Sequence, residues 1–388
     1  MPQAARMFIH LAAVCLVLAS NAAQARKNEI VFCKDDQDRR PCAVVQTGPF
    51  NGVRPKPGLS AQIVDKYIVI SWAGAAREVT MNGIDYESPL TLVADDLRQL
   101  VIRYDLAATV KTNVSMNVTR PDGSRSFETV DLFGPQASPA PGTAAVLGKK
   151  LSFTGARLGA QIWLPPGYQQ GRRYPIVYVA DSGDNRGELV ADAVRKGTLA
   201  PVVVVGIDAC VEGDPNARCR SHNYVYMPEQ EHLDARRFAE YEKLFINTVV
   251  PQVEAKYGSP ADASQRAVAG ESNGAAWAAS MALNHPELFG RAIVMSLAGA
   301  HFYGPVAKVP IVFALSGGVL EPGFSYHSRC FAGRIVEAGG TATLRLYPAG
   351  HSGLMWEEEF MTAMMDWQGV QRAPLTLAPA RPVWCPQD

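Results

Sequence analysis

Two rhythms of hydrophobic positions run along this chain. Over residues 26–137 the apolar runs are short, alternating or β-branched. Runs at 67–72, 77–81, 100–104, 113–118 and 127–132 read as strands, with Asn82-Gly83 and Pro121-Asp122-Gly123 as turns between them. No long helical period appears there, so this part is expected to be a small β-sandwich-like domain. From residue 149 the rhythm changes. Continuous apolar runs of strand length lie at 174–180, 201–207, 292–296, 310–315 and 343–347, with another beginning at Arg266. Helical patterns fall between them, at 188–196, 236–256, 326–338 and 357–367, and Pro251 should kink the second. A strand at 160–164 stops at Pro165-Pro166. Fully apolar strands separated by helices predict an α/β fold: a doubly wound, mostly parallel sheet covered on both faces. Functional loops then lie at the carboxyl ends of the strands. The stretch 138–148, entered through a Pro-rich run, is expected to be a linker, and 149–388 the second domain.

The first 25 residues read as a secretory signal. Arg6 is the basic part, residues 8–19 the apolar part, and Ala23-Gln24-Ala25 the small-residue cleavage site. The mature chain would start at Arg26 and be exported, to a periplasm or beyond the cell. Export gives the cysteines a meaning. Six follow the signal, and an even number in an exported chain suggests disulfides. Cys33 and Cys42 flank one polar loop, Cys210 and Cys219 another, which leaves Cys330 for Cys385. None has the spacing of a metal or redox motif, so neither a metal nor a cofactor is expected.

Lys and Arg total 37 and so do Asp and Glu, so net charge is zero and nothing draws the chain to nucleic acid. No second long apolar run follows the signal, so no membrane span is expected. Nothing in the sequence sets an oligomeric state.

The candidate chemistry is at Gly270-Glu271-Ser272-Asn273-Gly274, between an apolar strand and a helix rich in small residues. That order suits a nucleophile elbow, in which Ser272 sits on a tight turn. The two glycines leave room for the turn, and the helix N-terminus faces a developing oxyanion. A serine needs an imidazole base, and the base needs a carboxylate to orient it. His351 follows the strand at 343–347, and Glu321 follows the one at 310–315. Serine, acid, histidine is the chain order of an α/β-hydrolase. Asp181 and one of residues 357–359 are the alternative carboxylates for that role. His222, His301 and His327 lie near strand ends; His232 and His285 read as surface residues.

From residue 149 onward the chain resembles the esterase family of α/β-hydrolases that includes enterochelin and other siderophore esterases, feruloyl esterases, S-formylglutathione hydrolase and mycolyltransferases. The resemblance is carried by segments 164–168, 174–181, 270–274, 285–289, 318–322 and 350–356. The Gly318-Val319-Leu320-Glu321-Pro322 run is most like siderophore esterases. It implies Ser272, Glu321 and His351 as catalytic residues, with backbone N–H groups of Asn273 and Gly183 as oxyanion donors. The expected partner is a small-molecule ester, of siderophore or feruloyl type. Acyl transfer on the same acyl-enzyme, and a non-catalytic binding protein on the same scaffold, are the alternative functions.

Overall fold

The computed structural model describes residues 43–46, 50, 53, 55–84, 88–94, 96–137, 148–182, 185–226, 234–258, 260–299, 308–370 and 385. The expected signal, Cys33, Cys42, Gly183, His232, His301 and nearly all of the expected linker lie outside the described residues. The chain divides into two compact units, one ending at residue 138 and the other starting at 139.

The first unit contains two antiparallel sheets. One is formed by β1 (Ala43–Gln46), β2 (Gly58–Val64), β3 (Tyr67–Ala73), β6 (Thr91–Ala94) and β7 (Leu97–Tyr104); the other by β4 (Glu78–Asn82), β5 (Ser88–Pro89), β8 (Lys111–Thr119) and β9 (Arg125–Phe133). In β8 every second side chain is buried: Thr112, Val114, Met116 and Val118. This is the alternation of a half-buried strand. The backbone N–H of Leu59 in β2 reaches Glu128 in β9, so the two sheets are joined by more than their apolar faces.

The second unit is built on one eight-stranded sheet. Its strands are β10 (Lys149–Phe153), β11 (Ala156–Trp163), β12 (Ile176–Ala180), β13 (Val203–Val211), β14 (Arg266–Glu271), β15 (Arg291–Met295), β16 (Val312–Gly318) and β17 (Thr341–Tyr347). Their spatial order is β10-β11-β13-β12-β14-β15-β16-β17, and every pairing from β13 to β17 is parallel. β12 has no exposed residue, because its two faces serve two cores. Ile176 and Tyr178 pack on one side, where Tyr178, Phe245, Trp277 and Phe289 form an aromatic cluster. Val177 and Val179 pack on the other, with Phe360 and Met364. Burying each such side chain contributes about 1.5–3 kcal/mol, which is why the strand is one unbroken apolar run.

The helices are α1 (Arg186–Arg195), α2 (Cys219–Tyr224), α3 (Ala235–Leu244), α4 (Val250–Tyr257), α5 (Asn273–Asn284), α6 (Pro322–Glu337) and α7 (Gly353–Trp367). The single kinked helix expected over 236–256 is instead α3 and α4 joined by a π-helical turn, Phe245–Val249. Pro251 has no N–H to give to the preceding turn, and the wider turn absorbs the mismatch. α6 begins four residues earlier than its periodicity suggests, because Pro322 takes its first position. Strand β10 and the short helix α2 have no periodic signal and were not expected.

Candidate active site

Ser272 follows β14 directly. Its backbone has φ 56° and ψ −123°, a left-handed region that side chains rarely occupy. The strained turn is tied down at once: Ser272 N–H donates to Met295 O at 3.0 Å, and Ala298 N–H donates to Ser272 O at 3.3 Å. Glycine is required on both sides. A Cβ on Gly270 would lie 2.2 Å from Gly274 O, and one on Gly274 would lie 2.7 Å from the Cβ of Ala180. Asn273 is the first residue of α5, where a backbone N–H has no intrahelical acceptor.

Two strands away, Glu321 and His351 meet. β16 and β17 pair in register up to Gly318 and Tyr347, and the pairing continues into their loops. Val319 N–H donates to Tyr347 O and Leu320 N–H to Ala349 O, both at 2.9 Å. Glu321 is 1% exposed. One carboxylate oxygen, Oε2, lies 2.6 Å from His351 Nδ1. The other accepts from Gly318 N–H and from the Ser296 hydroxyl, each at 2.6 Å. An imidazole that gives its Nδ1 proton to a carboxylate keeps the Nε2 lone pair to accept another. The ring stacks on Phe324, with centroids 4.0 Å apart, and meets the Trp356 ring at 86°, with centroids 4.7 Å apart.

Three of the other candidate carboxylates, Asp181, Glu357 and Glu359, have different partners. Asp181, at the end of β12 with φ 63°, is held by Arg220 through three hydrogen bonds of 2.8 to 3.2 Å. Burial alone would lower the Arg220 pKa; the hydrogen bond and charge of Asp181 outweigh it and hold the value above the usual arginine range. Glu357 accepts from Asn185, and Glu359 from Arg345 and Tyr347.

Sequence reading missed the importance of α2. Cys219 opens it and is bonded to Cys210 of β13. Its next residues converge on the elbow: Arg220 on Asp181, Ser221 Oγ as acceptor for the Asn273 side chain, and the Tyr224 hydroxyl as acceptor for Asp181 N–H. Burial holds the Tyr224 phenol neutral, with its pKa well above the usual value. The second disulfide, Cys330–Cys385, is also present. Among the histidines, His222 accepts from Asp234 N–H and His285 faces Glu242 and Glu287. Burial lowers the pKa of His327.

Residues 152–308 match the family model described as "Putative esterase". The protein is an esterase. This carboxylic ester hydrolase is similar in fold to the enterobactin esterase of Shigella flexneri, crystallised in the presence of 2,3-dihydroxy-N-benzoyl-glycine. The two are 16% identical, with a TM-score of 0.58, and the match covers 82% of this chain and 98% of that one. The ferric enterobactin esterase of Salmonella typhimurium matches at 15% identity and a TM-score of 0.58, over 80% of this chain and 96% of that one. Among the esterase's described residues, no helix is long and apolar enough to cross a membrane.

Proposed function

We propose that this esterase is exported and cleaves its substrate through an acyl-enzyme on Ser272. Ser272 Oγ adds to the ester carbonyl carbon while His351 Nε2 takes the hydroxyl proton. The tetrahedral intermediate collapses, the carbon–alkoxy bond breaks, and His351 returns the proton to the departing alcohol. Water then repeats both steps and releases the acid. Glu321 holds the imidazole tautomer and stabilises its charged form. The oxyanion is met by the N–H of Asn273 and, from the sequence match, that of Gly183, with the N-terminus of α5 behind them.

One observation carries this reading: the 2.6 Å contact of His351 Nδ1 with a carboxylate at the end of β16, in the same sheet as the strained turn at Ser272. Two disulfides and a signal-like leader support export. Likeness in fold to enterobactin esterases makes siderophore-type and feruloyl-type esters the first substrates to try.

The test is a kinetic panel of short-chain chromogenic esters, feruloyl esters and enterobactin, run beside Ser272→Ala. Hydrolysis of at least one ester of the panel is expected, falling by several orders of magnitude in the variant. Turnover by Ser272→Ala at the wild-type rate would remove Ser272 from the mechanism.

A further inference from the structure

Ser296, the residue after β15, has no role in the reading above. It is fully buried, and its φ of 52° is a conformation that residues other than glycine seldom adopt. Its hydroxyl has two partners: Trp356 Nε1 at 2.7 Å and Glu321 Oε1 at 2.6 Å. An indole N–H can only donate, so the serine oxygen accepts there. Its single proton is thereby committed to Glu321. With Gly318 N–H on the same oxygen, Oε1 is doubly occupied, and Oε2 is the one presented to His351.

The contacts form a closed circuit. Ser296 holds Glu321, Glu321 holds the Nδ1 edge of His351, the His351 and Trp356 rings pack nearly perpendicular, and Trp356 donates back to Ser296. The backbone of the same segment also anchors the elbow, since Met295 O accepts from Ser272 N–H and Ser296 N–H donates to Ser316 O. Strain at a fully buried serine with both hydrogen-bonding capacities used is what a site-orienting residue displays.

We propose that Ser296 is a positioning residue for ester cleavage, acting through Glu321 and Trp356 to fix the rotation of the carboxylate and the plane of the imidazole. It does not touch the reacting atoms. The inference rests on the assignment of Glu321 and His351 made above.

A double-mutant cycle tests it, using p-nitrophenyl butyrate and the variants Ser296→Ala, Ser296→Gly, Glu321→Gln and Ser296→Ala/Glu321→Gln. Glycine removes the hydroxyl yet accepts the positive φ, so it covers the case in which alanine unfolds the chain; thermal melting monitors both. Ser296→Ala and Ser296→Gly are expected to lower kcat about 10- to 100-fold with KM changed less than about twofold. In the Glu321→Gln background the same change should lower kcat less than about twofold further, because the residue it orients no longer performs. Wild-type kcat in Ser296→Gly, or losses that multiply in the double variant, would overturn the proposal while leaving the Glu321 assignment standing. Wild-type kcat in Glu321→Gln would overturn that assignment and this proposal with it.

Discussion

Arg186, the first residue of α1, reaches Glu271 at 2.9 Å, and Glu271 is the residue immediately before Ser272. Both side chains are withdrawn from water, and the guanidinium also lies over the ring of Phe360. The elbow is therefore braced from behind by an ion pair that no local motif announces. Breaking a buried pair from one side leaves a charge without its counter-ion, which typically costs about 3–5 kcal/mol. Arg186→Ala should lose stability of that order in chemical denaturation. Glu271→Gln also leaves the Arg186 guanidinium without its counter-ion, but its amide oxygen can still accept the guanidinium N–H, so it should lose less. Equal, small losses in both would show that the pair does not brace the turn.

A second buried carboxylate gives the fold a pH dependence. Burial raises the Glu359 pKa from its ordinary 4.5 to about 7, outweighing the Arg345 charge and the Tyr347 hydrogen bond; Asp366, on the same Arg345, adds to the rise. The folded protein thus holds this proton more tightly than the unfolded chain. The stability so contributed is complete below the ordinary value and is lost as pH rises through about 7. Relative to Glu359→Gln, the wild type should lose on the order of 1–3 kcal/mol between about pH 5 and pH 8. Parallel stability profiles for the two proteins would contradict this.

Much of the fold was legible because its signals are local. The parallel strands announce themselves as unbroken apolar runs, since residues such as Val177 and Tyr178 serve opposite faces of one sheet. Gly270 and Gly274 mark the elbow because each would collide with its surroundings if it carried a Cβ. The partnership of Glu321 with His351 could be expected from chain order and family likeness. Less could be read where meaning depends on distant neighbours. Ser296 is one serine among many until Trp356 and Glu321 fold against it. Helix α2 is too short to carry a period, and its residues matter only because they meet the ends of β12 and β14.

That convergence makes the Cys210–Cys219 disulfide a sensitive point. It spans nine residues and clamps the start of α2 to β13. Closing so short a loop contributes roughly 2–3 kcal/mol. Cys210→Ser/Cys219→Ser should lose that stability in thermal or chemical denaturation. The same variant should lower kcat, because Arg220 and Ser221 would no longer be held against Asp181 and Asn273. A variant with unchanged stability and kcat would show that α2 stays in place without the clamp.

The central claim is that Ser272 is the nucleophile and is activated by His351. Active-site titration with a fluorophosphonate, read by mass spectrometry of the intact protein and its peptides, addresses it directly. One equivalent of adduct on the peptide containing Ser272 is predicted, formed in step with loss of esterase activity. His351→Ala should slow the labelling by several orders of magnitude, since the serine then lacks its base. Adduct on another residue, or full inactivation with Ser272 unmodified, would contradict the account.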